Sequence, residues 1–382
     1  FSEEGYEVES HEGSLNESQL IEKIHNISIL GIRSKTTISK KVLNSANRLL
    51  SIGAFCIGTN QIDLKECTKN GITVFNAPYS NTRSVVEIVL GQIINLMRSI
   101  VDKSNDMHKG IWRKDSINSY EIRNKTIGII GYGNIGSQLS VVCESLGMKV
   151  LYYDLIDKLS IGNATKCNSL KTLLNNSDVV SIHIDGRKEN TNFFGQKEFE
   201  MMKDGSILIN YSRGNIVEID SLVKNLKNNK LLGAAVDVFP KEPLNNDEKF
   251  ESILKGINNI ILSPHIGGST KEAQKNIGLY VPEKIIDFIN TGNTSNCVNF
   301  PELSLPEQKD AHRLIHIHRN EPGVLLDINK IISSFNINIK GQYLKTNEDI
   351  GYVITDIDRE YDKSVVKKLK EIKNTIKLRV LY

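Results

Sequence analysis

One hexapeptide limits the fold of this chain more than any other feature. Gly131-Tyr132-Gly133-Asn134-Ile135-Gly136 follows the continuous apolar run 126–130 and precedes a helical pattern over 137–146. It is a G-x-G-x-x-G turn between a strand and a helix. The first glycine permits the tight turn, the second lets a pyrophosphate approach the backbone, and the third allows close helix–strand packing. The helix N-terminus then offers unpaired N–H groups to phosphate oxygens. Glycine turns are common, so the hexapeptide alone is a weak signal. Asp154, however, closes the next apolar segment, 149–153, and stands 18 residues past Gly136. That is close to the ~20 residues expected for a ribose-binding carboxylate. A helix-capping role is the plain alternative for Asp154, but it leaves the order of strand, turn, helix and acid unexplained. An acid here favours a free 2′-hydroxyl and repels a 2′-phosphate, which predicts NAD rather than NADP.

The remainder of the chain supplies a setting for this turn. Apolar runs at 27–32, 49–55 and 72–75 alternate with helical stretches at 39–47 and 64–70. Ser84-Val85-Val86-Glu87 matches a capping box, opening an apolar helix to about residue 100 that reads as a packed connector between domains. Strands are predicted at 126–130, 149–153, 179–184, 206–210, 233–238 and 260–263. Near-continuous Ile, Val and Leu in such strands calls for a sheet covered on both faces. A helix at 273–289 returns toward the first region, so a discontinuous outer domain (1–80 with 273–300) is expected around an inner one (81–272). A proline-bearing linker follows at 301–311, and then the order changes. Strands at 312–319, 337–345, 351–358 and 375–381 with helices at 322–335 and 362–372 spell β-α-β-β-α-β, a ferredoxin-like module over 312–382. The predicted class is α/β, with two Rossmann-like doubly wound parallel-sheet domains plus a C-terminal α+β domain.

Composition closes off other classes. Of 382 residues, 48 are Lys or Arg and 45 are Asp or Glu, a net charge of +3, which leaves no basic excess for a nucleic-acid backbone. No apolar run approaches the roughly 18 residues of a membrane span. The five cysteines (Cys56, Cys67, Cys143, Cys167, Cys297) are widely spaced without a C-x-x-C pair, so neither a disulfide framework nor a metal site is expected, and a reducing, cytoplasmic setting is.

Three charged residues follow the ends of predicted strands: Arg213 in NYSRG, Glu242 in DVFPKEP and His265 in SPHIGG. Ligands of an open doubly wound sheet bind at that edge. His265 can exchange a substrate proton, Glu242 can orient the ring and raise its basicity, and Arg213 can hold a carboxylate in a two-pronged contact. Singly, each has an ordinary reading as a loop residue or a cap; their shared position is what speaks for a site. His183 and His25 lack such company.

The set GYGNIG, Asp154, NYSRG, DVFPKEP and SPHIGGST resembles the D-isomer-specific 2-hydroxyacid dehydrogenases over nearly the whole chain. The resemblance implies Arg213, Glu242 and His265 as catalytic residues. It implies an NAD site lined by Gly131, Gly133, Asn134, Ile135, Gly136, Asp154, Tyr211, Ser212, Asp237, Gly267 and Gly268. Arg33, Ser34 and Asn81 would hold the substrate, with Lys114 and Trp112 reaching a neighbouring subunit's site. Within the family, Arg33 and the C-terminal module point to 3-phosphoglycerate as substrate, at the entry to serine biosynthesis. Alternatives are another D-2-hydroxy acid, such as 2-hydroxyglutarate, or a silent NAD-sensing protein on the same fold. The C-terminal module resembles an ACT domain, in which His318, Asn320 and Asn338 would bind L-serine as a feedback effector. A dimer through the NAD domains and a tetramer through paired ACT modules are implied. Two departures stand out. Tyr211 replaces a small residue and would crowd the cofactor. Gly5-Tyr6-Glu7-Val8 resembles the end of the family's first helix, so the strand that normally opens the outer domain is expected to be absent.

Overall fold

The computed structural model describes residues 1–243, 247–306 and 310–381. The chain divides into two units, Phe1–Ser80 with Lys275–Tyr382, and Asn81–Gln274. In the first unit, β1 (Ile29–Ile32), β2 (Ser51–Ala54) and β3 (Thr73–Asn76) form a parallel sheet in that order. The helices Glu17–Lys23, Lys40–Asn44 and Leu64–Lys69 each start where a side chain accepts a first-turn N–H: Asn16, Ser39 and Asp63.

The second unit holds seven parallel strands: β4 (Thr126–Ile130), β5 (Lys149–Tyr153), β6 (Thr165–Lys166), β7 (Val179–Ile182), β8 (Ser206–Asn210), β9 (Leu231–Val236) and β10 (Ile260–Leu262). Their order is β10-β9-β8-β7-β4-β5-β6. The chain enters at β4, runs outward through β5 and β6, then returns to β7 and runs out the other way. That reversal is the switch point at which doubly wound sheets bind ligands. Alternate residues feed two cores, with Ile127, Ile129, Ile207 and Ile209 on one face and Ile130, Val180 and Leu208 on the other. β7 and β9 stop two residues short of their predicted ends, so His183 and Asp237 lie past the ladder, on the ligand edge.

The predicted capping box is not formed. The helix starts at Thr82, two residues before Ser84, with Asn81 as N-cap; Ser84 Oγ meets Thr270 Oγ1 at 2.8 Å, and Glu87 pairs with Arg83. It ends at Arg98 because Ser99 turns left-handed (φ 50°), and the next helix, Ile100–His108, leaves at a 67° bend. That bent pair together has the length and apolarity of a span, whereas no single helix among the described residues does. Val85, Val86, Val89, Ile93 and Leu96 of its first half lie in the core of the unit.

The C-terminal sheet consists of β11 (Ala311–Arg319), β12 (Ile339–Thr346), β13 (Ile350–Asp358) and β14 (Thr375–Leu381), antiparallel in the order β12-β13-β11-β14. The helix predicted to start at residue 322 begins after Gly323, in Val324–Ser334, and a shorter one, Ser364–Lys370, follows β13. Leu314, Val353 and Ile357 pack on these helices. Ile315, Ile317, Tyr352 and Ile354 pack on the helix Lys271–Thr291 through Val281, Ile285 and Phe288. The module falls in one unit with 1–80, and this second buried face accounts for that grouping. Most of the predicted linker is described, residues 307–309 lie outside the described residues, and Ala311 already belongs to β11.

A buried ion pair sits at this junction. Arg313 Nε donates to Asp356 Oδ1 at 2.7 Å and its Nη2 to Oδ2 at 2.9 Å, while Nη1 and Nη2 also reach the carbonyls of Thr291 and Pro306. Removing one partner strands the other charge. Asp356→Ala is therefore expected to cost about 3–5 kcal/mol in denaturant unfolding, and Asp356→Asn less, since the amide oxygen still accepts.

Candidate active site

The glycine turn is built as its spacing requires. Gly131 has φ 91°, and a Cβ there would stand 2.5 Å from the His183 carbonyl; one at Gly136 would run into the carbonyl of Gly131. The helix Asn134–Ser145 begins three residues earlier than predicted, so Asn134, Ile135 and Gly136 form its first turn. Its N-cap is Gly133, which brings no side chain to the N-terminal N–H groups and around which a Cβ would meet nothing within 4 Å. Asp154 Oδ2 accepts the Tyr132 N–H at 2.8 Å and Oδ1 the Ile156 N–H at 3.0 Å, tying the acid to the turn. Donors for a pyrophosphate and a carboxylate for a ribose thus stand together, a set that fits a dinucleotide. Replacing Asp154 by alanine should erase discrimination against NADPH. Charge repulsion of about 1–4 kcal/mol makes that roughly a fivefold to 10³-fold preference to lose, read by fluorescence titration of NADH and NADPH.

Past β8, Asn210 folds the chain into a tight turn. Its Oδ1 accepts both the backbone N–H (3.2 Å) and the hydroxyl (2.7 Å) of Ser212, and its Nδ2 donates to the Arg213 carbonyl at 3.2 Å. A buried asparagine therefore sets where Arg213 leaves the sheet. Past β10, His265 adopts a left-handed backbone (φ 55°) and its Nδ1 meets Glu242 Oε2 at 2.7 Å. Glu242 Oε1 accepts the Phe239 N–H at 3.1 Å, which fixes the carboxylate. The Glu242 hydrogen bond raises the His265 pKa above the ordinary imidazole value, against burial and the Arg213 charge, which lower it. Burial pushes the Glu242 carboxyl up, but its bond to His265 and the charges of His265 and Arg213 hold it below the usual range. The imidazole remains half exposed (50%), open to a reactant on its other nitrogen. The three residues read at strand ends are thus brought into one electrostatic group.

Other predicted residues fall around it. Gly268 lies directly against the Asn81 amide, whose Oδ1 is buried without a partner. Asp237 is buried and accepts the N–H groups of Ile266 and Gly267 at 2.9 and 2.8 Å. Tyr211, expected to crowd the cofactor, turns its ring into the core (5% exposed) and bonds Ser263 Oγ at 2.9 Å; a large apolar ring with a buried hydroxyl partner is more stable there. Ser263 is the residue that sequence reasoning missed, its only signal being its place at the end of β10. Arg33 and Ser34 are exposed just past β1, in the first unit, and Lys114 is exposed after Ile100–His108. In the C-terminal module, His318 is buried, donating from Nδ1 to the Arg319 carbonyl at 2.7 Å with Nε2 unpartnered. Asn320 Nδ2 donates to the Asn347 carbonyl at 2.7 Å, and Asn338 is exposed just before β12. Among the described residues no group of three His, Cys, Asp or Glu could hold a metal ion.

A doubly wound sheet with this turn, this acid and a histidine–carboxylate pair at its carboxyl edge defines an NAD-dependent oxidoreductase. Residues 90–267 match the model for the D-isomer specific 2-hydroxyacid dehydrogenase, NAD binding domain, and residues 314–377 that for the AHAS small subunit-like ACT domain. The chain is 51% identical over 382 residues to D-3-phosphoglycerate dehydrogenase of Dictyostelium discoideum, covering 100% of this chain and 93% of that one. It is 48% identical over 377 residues to the enzyme of the same name from Escherichia coli (strain K12), covering 98% and 92%. D-lactate dehydrogenase from Aquifex aeolicus, solved with NAD and lactic acid, superposes with a TM-score of 0.67 at 26% identity, over 74% of this chain and 90% of that one. The chain belongs to the D-isomer specific 2-hydroxyacid dehydrogenases.

Proposed function

We propose that this enzyme oxidises 3-phospho-D-glycerate to 3-phosphohydroxypyruvate with NAD, the entry reaction of L-serine synthesis. The observation that carries the chemistry is the His265–Glu242 pair, held at 2.7 Å beside Arg213; the names of the full-length relatives support the substrate. Bound NAD supplies the hydride acceptor. With Nδ1 engaged by Glu242, Nε2 of His265 takes the proton of the C2 hydroxyl, and Glu242 stabilises the imidazolium that results. Arg213 grips the substrate carboxylate, and Arg33, Ser34, Asn81 and Lys114 serve the carboxylate and phosphate ends. An NADH-absorbance assay over a panel of D-2-hydroxy acids tests the assignment. The phosphorylated acid should exceed lactate, glycerate and 2-hydroxyglutarate in kcat/KM; a better unphosphorylated substrate would refute it.

Regulation by L-serine belongs to the same proposal. His318 lies near the end of β11 and Asn320 just past it, before the helix Val324–Ser334, and Asn338 of a paired module would complete a site for the amino acid. Serine held between two modules would favour one orientation of the subunits, a coupling typically of about 1–3 kcal/mol. Turnover should fall with added L-serine, and Asn320→Ala should lose that inhibition; a parent indifferent to serine would leave the module only an assembly role. The exposed Met107, Ile111, Trp112 and Ile117 support a dimer contact through the NAD-binding part, with a tetramer formed by module pairing. Sedimentation of the intact chain distinguishes these states. None of the five cysteines forms a disulfide among the described residues, which supports a cytoplasmic setting.

A further inference from the structure

The turn that carries His265 rests on a chain of hydroxyls. Asp237, 1% exposed, accepts three hydrogen bonds: from Ser263 Oγ at 2.5 Å and the Ile266 N–H at 2.9 Å on Oδ1, and from the Gly267 N–H at 2.8 Å on Oδ2. Burial pushes the Asp237 carboxyl above the ordinary carboxylate range, against the hydrogen bonds from Ser263, Ile266 and Gly267 and the His265 charge, which lower it. In its ionised form it only accepts, so Ser263 then spends its one proton on Asp237. The contact at 2.9 Å between Ser263 Oγ and the Tyr211 hydroxyl must then run from Tyr211 to Ser263. The direction of donation follows: Tyr211 to Ser263 to Asp237, with the N–H groups of Ile266 and Gly267 donating to Asp237 from the other side. The Tyr211 ring also lies beneath this turn, since a Cβ on Gly267 would stand 3.2 Å from Tyr211 Cδ1 and 3.0 Å from Asp237 Oδ2.

His265 needs such support. Its φ of 55° is a left-handed conformation that costs energy in a residue with a Cβ and persists only where the surroundings over-determine it. The His265 N–H donates to the Ser263 carbonyl at 3.0 Å, so Ser263 holds the turn by backbone and side chain at once. We propose that Tyr211 and Ser263 are positioning residues for His265, a two-hydroxyl relay that fixes the Asp237 carboxylate and, through it, the turn presenting the imidazole to the substrate. The inference rests on His265 as the base. Its effect is geometric, and a misplacement of about 1 Å can cost roughly 10²-fold in rate. The charged groups acting on the imidazole are Glu242, Asp237 and Arg213, the two carboxylates raising its pKa and the guanidinium lowering it.

Three variants of the enzyme test the relay: Ser263→Ala, Ser263→Thr and Tyr211→Phe. The last keeps the ring and removes only the hydroxyl, so it remains informative if Ser263→Ala folds poorly. Ser263→Ala should lower kcat about tenfold or more while changing KM less than about threefold. It should also move the acid limb of the kcat/KM profile to lower pH, as the Asp237 charge and the Glu242 contact weaken. Tyr211→Phe should do the same to a smaller extent, and Ser263→Thr should restore both readouts. Unchanged kcat and an unmoved acid limb in Ser263→Ala and Tyr211→Phe, whatever their melting midpoints, would overturn the relay. NMR titration of the His265 ring in the free enzyme separates this from failure of the underlying reading. Turnover surviving in His265→Ala overturns the base itself, whereas an imidazole titration unmoved by Ser263→Ala overturns only the positioning.

Discussion

Replacing His265 by alanine lowers turnover by roughly 10²–10⁴-fold and leaves NADH binding close to normal, because a positioned general base contributes that much and the dinucleotide turn lies elsewhere in the sheet. The pH dependence follows from the same pair. His265 must be neutral to accept the C2 hydroxyl proton, and its pKa is raised first by the Glu242 hydrogen bond. The oxidation rate therefore climbs with pH through a value above the ordinary imidazole pKa of about 6.5. Glu242→Gln removes the charge that raises it. Its acid limb moves to lower pH, yet its plateau falls because the imidazolium formed during reaction is no longer stabilised. Stopped-flow and steady-state profiles of parent and variant check both shifts. A Glu242→Gln limb displaced upward would contradict this account of the pair.

Arg213→Ala is expected to reduce kcat/KM by about 30- to 5,000-fold, the equivalent of about 2–5 kcal/mol for truncating one partner of a hydrogen-bonded charge pair. Arg213→Lys should recover only part of that loss, since an ammonium group cannot reproduce the planar fork that meets a carboxylate bidentately. The Arg213 charge also lowers the His265 pKa, so the acid limb of Arg213→Ala should move to higher pH, opposite to Glu242→Gln. Initial rates over a range of pH settle the point. A lysine variant equal to the parent would show that charge alone suffices.

Much of the doubly wound sheet was legible in the sequence, for a physical reason. β4, β5 and β8 each hold a short run of Ile, Val, Leu or Tyr bounded by polar or glycine residues, and their ends coincide with those predicted. Where apolar residues continue beyond the ladder, as at Val238 past β9 and Ile184 past β7, the pattern runs on though the partner strand does not. The shared placement of Arg213, Glu242 and His265 past strand ends was readable because strand ends locate the ligand edge. The Tyr211–Ser263–Asp237 relay was not, since it joins residues 26 and 52 positions apart through hydroxyl directions that composition does not encode. Ser84 and Glu87 had the residue types of a capping box, but Thr270 and Arg83 offered nearer partners. In the C-terminal module, β11 and β13 carry apolar residues on both faces, Leu314, Val353 and Ile357 on one and Ile315, Ile317, Tyr352 and Ile354 on the other, a pattern that does not say what covers them; the helix Lys271–Thr291 covers the second face.

The most direct measurement follows the hydrogen at C2. 3-Phospho-D-glycerate labelled there with deuterium, incubated with NAD and the intact enzyme, should deliver its label to the reduced cofactor, with equimolar 3-phosphohydroxypyruvate and one proton released. The L-isomer should yield none, and His265→Ala should deliver label to the same place at a rate lowered by roughly 10²–10⁴-fold. Label appearing in water, or in the cofactor only with an unphosphorylated acid, would contradict hydride transfer from this substrate at the site formed by Arg213, Glu242 and His265.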